Sequence, residues 1–201
     1  MSRLITLGCS HTIGDGLKNP PIGSWPSVLS NRLGLEVINL AESGGSNRTI
    51  QHKVYTFEFK EDDIVIILWT YPDRYHFFES KYTNTGCINS WGTNDVANAW
   101  FKYFHTSYNE KFDNQTIVNQ VNLFLKDARI KVYNLLVSSE FDYYFDITAA
   151  LRIDIDFTEK YLNKYPRGID GWHMGELGNH DFAMDIYYNI TRDKGRPEGL
   201  I

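Results

Sequence analysis

The stretch 63–69, DIVIILW, decides the class of this chain. After one acidic residue it runs without a polar side chain, too short for a membrane span and too apolar for a strand with one face in water. It reads as a strand buried on both faces, at the centre of a parallel sheet. Working outward, RLITL (3–7) and EVINL (36–40) precede it as strands, and the run 130–137 follows as another. Helical patterns fill the intervals. Residues 24–33 carry Ser24 as N-cap, Pro26 in the first turn and Gly34 as the stop. Residues 48–59 place Ile50, Val54 and Phe57 at spacings of four and three, and residues 114–128 align Ile117, Val121, Phe124 and Leu125. A last helix, 177–190, turns Ala183, Ile186, Tyr187 and Ile190 inward. Strands alternating with helices predict an α/β fold, a central parallel sheet covered on both sides. Two stretches break the rhythm: 71–109, an aromatic-rich insertion or lid with a short helix near 96–105, and 138–167. The tail from Thr191 is polar and expected to be loosely held.

With 201 residues, the chain fits one domain spanning 1–201. A net charge of −5 and no basic run argue against a nucleic-acid partner. Cys9 and Cys87, the only cysteines, read as thiols, because a core of this size needs no disulfide framework. Neither a signal-peptide pattern nor a membrane span is visible, so a soluble protein is expected, cytoplasmic or associated with a virion or other assembly. Aromatic residues make up 15% of the chain and concentrate at 69–108 and 141–165, which marks those segments as candidate binding surfaces.

The chemistry starts where the first strand ends, in LITLGCSHTIGDGL (4–17). Gly8 turns the chain at the carboxyl edge of the sheet, where open α/β sheets bind ligands, and Ser10 projects from the turn. Gly14 and Gly16 let the next loop pass close by. Alone, Gly-Cys-Ser is an ordinary turn or helix N-cap. A base candidate lies in GIDGWHMGELGNHDFA (168–183), where the D-x-x-H spacing lets Asp170 hold the Nδ1 proton of His173 and leaves Nε2 free to deprotonate a serine. The plainer alternative is a turn aspartate and a polar residue before a helix. In INLAESGGSN (38–47) a Gly-Gly pair follows a strand, where backbone N–H groups suit an oxyanion site and equally make a simple turn. A G-x-S-x-G elbow fails because Thr12 stands where the second glycine belongs. A metal site from His11, His173, His180 and Asp170 lacks the spacing of a helical zinc pair, so neither metal nor cofactor is expected. His180 reads as a packed helix residue, His11 as a pocket wall, and Cys9 as buried and inert.

Taken in order, these blocks resemble the GDSL-type or SGNH hydrolases over almost the whole chain. Gly8, Cys9, Ser10 and Gly14 stand in the first block, with Cys9 replacing an Asp. Asn39 and Gly44 match the second, and Asp170, His173, Gly178 and His180 the last. The resemblance implies a three-layer, flavodoxin-like sandwich and a serine esterase with Ser10, His173 and Asp170 as its triad. The family's Gly-x-Asn-Asp block, whose Asn is an oxyanion donor, is replaced here by LWTYPDR (68–74). Thr70, Arg74 and Asn47 are the substitutes available beside the Ser10 and Gly44 amides. The implied substrate is a small-molecule or carbohydrate ester, an O-acetyl sugar being favoured by the aromatic segments. A catalytically weak or inactive glycan-binding domain and an acyltransferase are the alternatives.

Overall fold

The computed structural model describes residues 2–78, 84–144 and 151–193. Its strands, in chain order, are β1 (Arg3–Leu7), β2 (Glu36–Asn39), β3 (Ile64–Trp69), β4 (Tyr75–Phe78), β5 (Asn84–Ile88), β6 (Lys131–Leu136) and β7 (Leu151–Asp156). Among the described residues five of them form a sheet in the order β2-β1-β3-β6-β7, with every neighbouring pair parallel, while β4 and β5 make a separate antiparallel hairpin. β3 is the middle strand, as its composition predicts, and residues 65–69 are fully buried.

The helices are α1 (Ser10–Ile13), α2 (Pro20–Gly23), α3 (Trp25–Leu33), α4 (Asn47–Thr56), α5 (Asp95–Tyr103), α6 (Ser107–Asp127) and α7 (Glu176–Asp193). Successive strand residues point to opposite faces, and the two cores divide accordingly. Leu4, Ile66 and Leu68 pack with Trp25 and Leu29 of α3 and with Phe182 and Ile186 of α7. Ile5, Leu7, Val65, Ile67 and Trp69 pack with Ile50 and Val54 of α4 and with Val118 and Val121 of α6. This is the three-layer α/β sandwich. A one-residue slip of β1 would exchange its two sets, and with each large apolar side chain contributing about 1.5–3 kcal/mol, burial on both faces fixes the register.

Local signals set the helix limits. Ser24 stands at the N-cap of α3, Pro26 lies in the first turn, and Gly34 ends the helix in the left-handed conformation. α4 starts one residue earlier than its apolar spacing suggests, because Ser46 and Thr49 form a capping box. It stops at Thr56, where Phe57 turns extended and its ring meets Phe59. α6 begins seven residues before the expected 114. Thr106 caps it by accepting the Asn109 N–H at 3.1 Å, and a polar first turn leaves no apolar stripe to read. Phe124, expected inward, is exposed and meets Tyr55, and Val118 takes the buried position.

The irregular stretches also hold structure. β4, β5 and α5 occupy the 71–109 segment and share a small apolar cluster of Tyr75, Ile88 and Ala97. β7 lies in the segment expected to be irregular, its Ile153 and Ile155 buried while Leu151, Arg152 and Asp154 are exposed. The last helix runs on to Asp193, past the point where a loose tail is expected, and residues 194–201 lie outside the described residues. No described helix is long and apolar enough to cross a membrane.

Candidate active site

The carboxyl ends of β1, β2 and β3 lie side by side, and three loops leave them. Ser10 opens α1 and is 5% exposed. Its Oγ makes no hydrogen bond among the described residues, yet it is not sealed in as Thr6 Oγ1, Thr12 Oγ1 and His11 Nδ1 are. Asn39 fastens the end of β2 to this turn. Its Nδ2 donates to the Thr12 carbonyl at 2.9 Å while its Oδ1 accepts the Ala41 N–H at 3.1 Å.

The Asp170–His173 segment reaches the same edge from the far end of the chain. Buried Asn179, in the first turns of α7, accepts the Trp25 N–H and donates to the Met174 and Gly175 carbonyls, which anchors the loop to α3. The Ile169 N–H then donates to the Gly16 carbonyl at 2.8 Å. That approach requires glycine on both sides. A Cβ on Gly168 would collide with the Gly16 backbone, and one on Gly16, whose φ is +82°, would lie 2.8 Å from the Asp170 carboxylate.

Asp170 is held from three directions. Its Oδ2 lies 2.5 Å from His173 Nδ1, and its Oδ1 accepts the N–H groups of Trp172 and His173 at 2.9 and 3.0 Å. Partial burial works to raise its pKa, but the bonds from His173 and Trp172 outweigh it and bring the carboxyl down to about 2. A carboxylate at Nδ1 fixes the imidazole tautomer, so Nε2 carries the lone pair. That nitrogen makes no hydrogen bond among the described residues. Beside it lies His11, the residue after Ser10. The two imidazole rings meet edge to face with centroids 5.0 Å apart, and Phe157 stands 5.0 Å from His11 on another side. Burial, then the neighbouring His173, push the His11 pKa down to about 3. The structure therefore brings the Ser10 turn, Asp170 and His173 to one edge.

The expected oxyanion donors divide. The Gly44–Gly45 turn packs on the carbonyl of Gly8; the Gly45 N–H is spent on Glu42 at 2.9 Å, while that of Gly44 has no partner among the described residues. Asn47 is a correction. It is 2% exposed, accepts the Thr70 N–H at 2.9 Å, and donates from Nδ2 to the Thr70 carbonyl at 3.2 Å and to Asn114 Oδ1 at 2.7 Å. Both amide hydrogens are committed, so Asn47 is a clamp on the end of β3 and has no donor to offer a substrate. Asn114, which the sequence reading does not single out, completes the clamp by donating to the Pro72 and Glu110 carbonyls. Thr70 is fully buried and its Oγ1 accepts from Arg74 Nη1 at 3.4 Å. The same nitrogen reaches the Gly45 carbonyl at 3.3 Å, and the guanidinium lies over the rings of Tyr71 and Trp91 at 4.7 and 5.2 Å. Arg74 thus sits against the glycine turn, and its Nε and Nη2 make no hydrogen bond among the described residues.

Cys9 is buried and both cysteines are free. His180, expected to pack, is exposed on α7 and meets only Asp181, because its helix position faces away from the sheet. Among the described residues no group of three or more His, Cys, Asp or Glu is arranged to hold a metal ion. Trp172, whose backbone N–H donates to Asp170, and Trp91, whose ring lies against the Arg74 guanidinium, are both exposed.

No family model matches the chain, and no curated protein matches it significantly. Solved structures do. A lipolytic protein of the G-D-S-L family from Desulfitobacterium hafniense DCB-2 is 13% identical, covering 93% of this chain and 98% of its own, with a TM-score of 0.55. The psychrotrophic esterase EstA from Pseudoalteromonas is 13% identical over 96% of this chain and 99% of its own, at 0.57. The acetyl xylan esterase Est2A from the rumen bacterium Butyrivibrio proteoclasticus is 10% identical over 96% of this chain and 64% of its own, at 0.63. At these identities the shared property is architecture, and the chain has the fold of the G-D-S-L or SGNH hydrolases.

Proposed function

We propose that the protein is a serine esterase that cleaves a small acyl ester through Ser10, His173 and Asp170. The observation that carries this reading is the Asp170–His173 pair, 2.5 Å from oxygen to Nδ1, seated beside the Ser10 turn at the carboxyl edge of the sheet. In the mechanism Ser10 Oγ attacks the acyl carbon as its proton passes to His173 Nε2, and Asp170 stabilises the imidazolium. The tetrahedral oxyanion accepts from the N–H groups of Ser10 and Gly44, with Arg74, held by the Gly45 carbonyl and Thr70 Oγ1, as the charged donor in place of the family's Asn. Collapse breaks the ester bond, His173 returns the proton to the leaving alkoxide, and water releases the acid from the acyl-serine by the same steps.

An O-acetylated carbohydrate is the substrate we favour, supported by exposed Trp91 against Arg74 and exposed Trp172 next to His173. The second reading is a glycan-binding domain with weak or no turnover, favoured by the commitment of Asn47 to Thr70. Labelling with a fluorophosphonate, which reacts only with an activated serine, separates the two. The esterase reading expects stoichiometric labelling of the full chain and none of Ser10→Ala; an unlabelled wild-type protein refutes it.

A further inference from the structure

A cavity of about 290 Å³ opens between α4 and α6, beside the clamp that holds β3. Its floor is formed by Asn47 and Asn114, whose amides are spent on one another and on the backbone, with Pro72 and Ile117 as apolar surface. Its wall is different. Gln51 donates to Gln120 at 2.7 Å, which leaves the Gln51 oxygen as an acceptor and the Gln120 amide as a donor. The side chains of Arg48 and Asp113 make no hydrogen bond or ion pair among the described residues, and Arg74 spends only Nη1. Donors and acceptors therefore alternate around a small apolar patch.

That lining excludes most ligand classes in turn. An acyl chain would strand the polar wall, a cation would meet Arg48 and Arg74, and Asp113 offsets part of the two guanidinium charges that would otherwise draw a full anion. A hydroxyl-rich ring suits every group, since each hydroxyl both donates and accepts while the C–H face of the ring covers Pro72 and Ile117. The volume lies just below the usual range of roughly 300–1,000 Å³ for ligand pockets and suits one ring. Arg74 borders this cavity and also touches the glycine turn beside Ser10.

We propose that the cavity between α4 and α6 is a subsite for one neutral sugar unit, joined through Arg74 to the Ser10 cleft. This deepens the carbohydrate-ester reading and rests on it, but the subsite is testable without turnover. Glucose, galactose, xylose and N-acetylglucosamine, and glucuronate as the anionic comparison, are titrated into the full chain by calorimetry and by NMR of the sugar signals. At least one neutral sugar is expected to bind saturably, more tightly than glucuronate. Gln120→Ala and Asp113→Asn, both at exposed positions, should each weaken it about fivefold or more, with unchanged thermal transitions. Absence of saturable binding by every neutral sugar, indifference to both substitutions, or tighter binding of glucuronate overturns the proposal. Fluorophosphonate labelling of the same wild-type preparation reports on Ser10 alone, so sugar binding without labelling rejects the esterase reading and keeps the subsite, and labelling without binding does the reverse.

Discussion

His11→Phe should make the protein markedly less sensitive to mild acid. His11 is buried with Nδ1 unpartnered, and its pKa is depressed from the ordinary 6.5 to about 3. The sign follows from proton counting. Between pH 3 and 6.5 the unfolded chain binds a proton at this residue that the folded chain refuses, so stability falls as pH drops below about 6.5 and is fully retained above it. From pH 7 to pH 5 this one group removes about 2 kcal/mol, at 1.36 kcal/mol for each pH unit below the unfolded pKa. Phenylalanine keeps a ring between Phe157 and His173, removes the unpaired Nδ1 and cannot titrate. Urea unfolding of both proteins at pH 7 and pH 5 gives four free energies. The wild-type loss between the two pH values should exceed that of the variant by about 2 kcal/mol. The histidines that do not touch His11 keep their surroundings in both proteins and cancel, and Asn in place of His173 in both backgrounds removes the one that does. Equal losses would refute both the burial argument and the neutral state assigned to the residue next to Ser10.

Asp170→Asn keeps an oxygen for the Trp172 and His173 N–H groups but turns an amide toward His173 Nδ1. Hydrolysis of p-nitrophenyl acetate should fall about a hundredfold or more, with the thermal transition within a few degrees of wild type. Gly16→Ala drives a Cβ against the Asp170 carboxylate at a positive φ. It should cost about 1–2 kcal/mol in denaturant unfolding and lower the turnover rate as well, whereas an effect on stability alone would argue that the loop contact is remote from the chemistry. Asn47→Ala releases the buried N–H and carbonyl of Thr70. A loss of about 2–4 kcal/mol is expected, and an unchanged unfolding midpoint with reduced turnover would restore Asn47 as a substrate donor.

The sheet was legible because a strand buried on both faces leaves an apolar run that no other element of that length leaves, as in 63–69. The approach of residues 10–17 to residues 168–173 was legible in part: Gly16 announced a close-passing loop and the D-x-x-H spacing a carboxylate on an imidazole, but that the two meet, Gly16 against Asp170, is seen only in the structure. What stayed hidden is structure made by polar groups. β7 buries only Ile153 and Ile155 among exposed charged neighbours, and the first turns of α6 expose nearly every side chain. A cap such as Thr106 is one residue among many threonines. The role of Asn47 was hidden for a related reason: a buried asparagine that clamps a strand and one that awaits a substrate are the same letter. Only its partners, Thr70 and Asn114, distinguish them.

The bond from Ile169 to Gly16 also has a meaning in time. Synthesis delivers the serine-bearing turn about 160 residues before the aspartate-histidine loop, and at 5–20 residues per second the interval is roughly 10–30 s. During it the nascent chain holds the Ser10 turn without the loop that closes on it, and any product that stops short of Gly168 lacks the Ile169–Gly16 bond altogether. Completion of this edge is thereby tied to arrival of residues 168–173: a chain released just before them holds all five strands of the sheet and, on the triad proposed above, no base for Ser10.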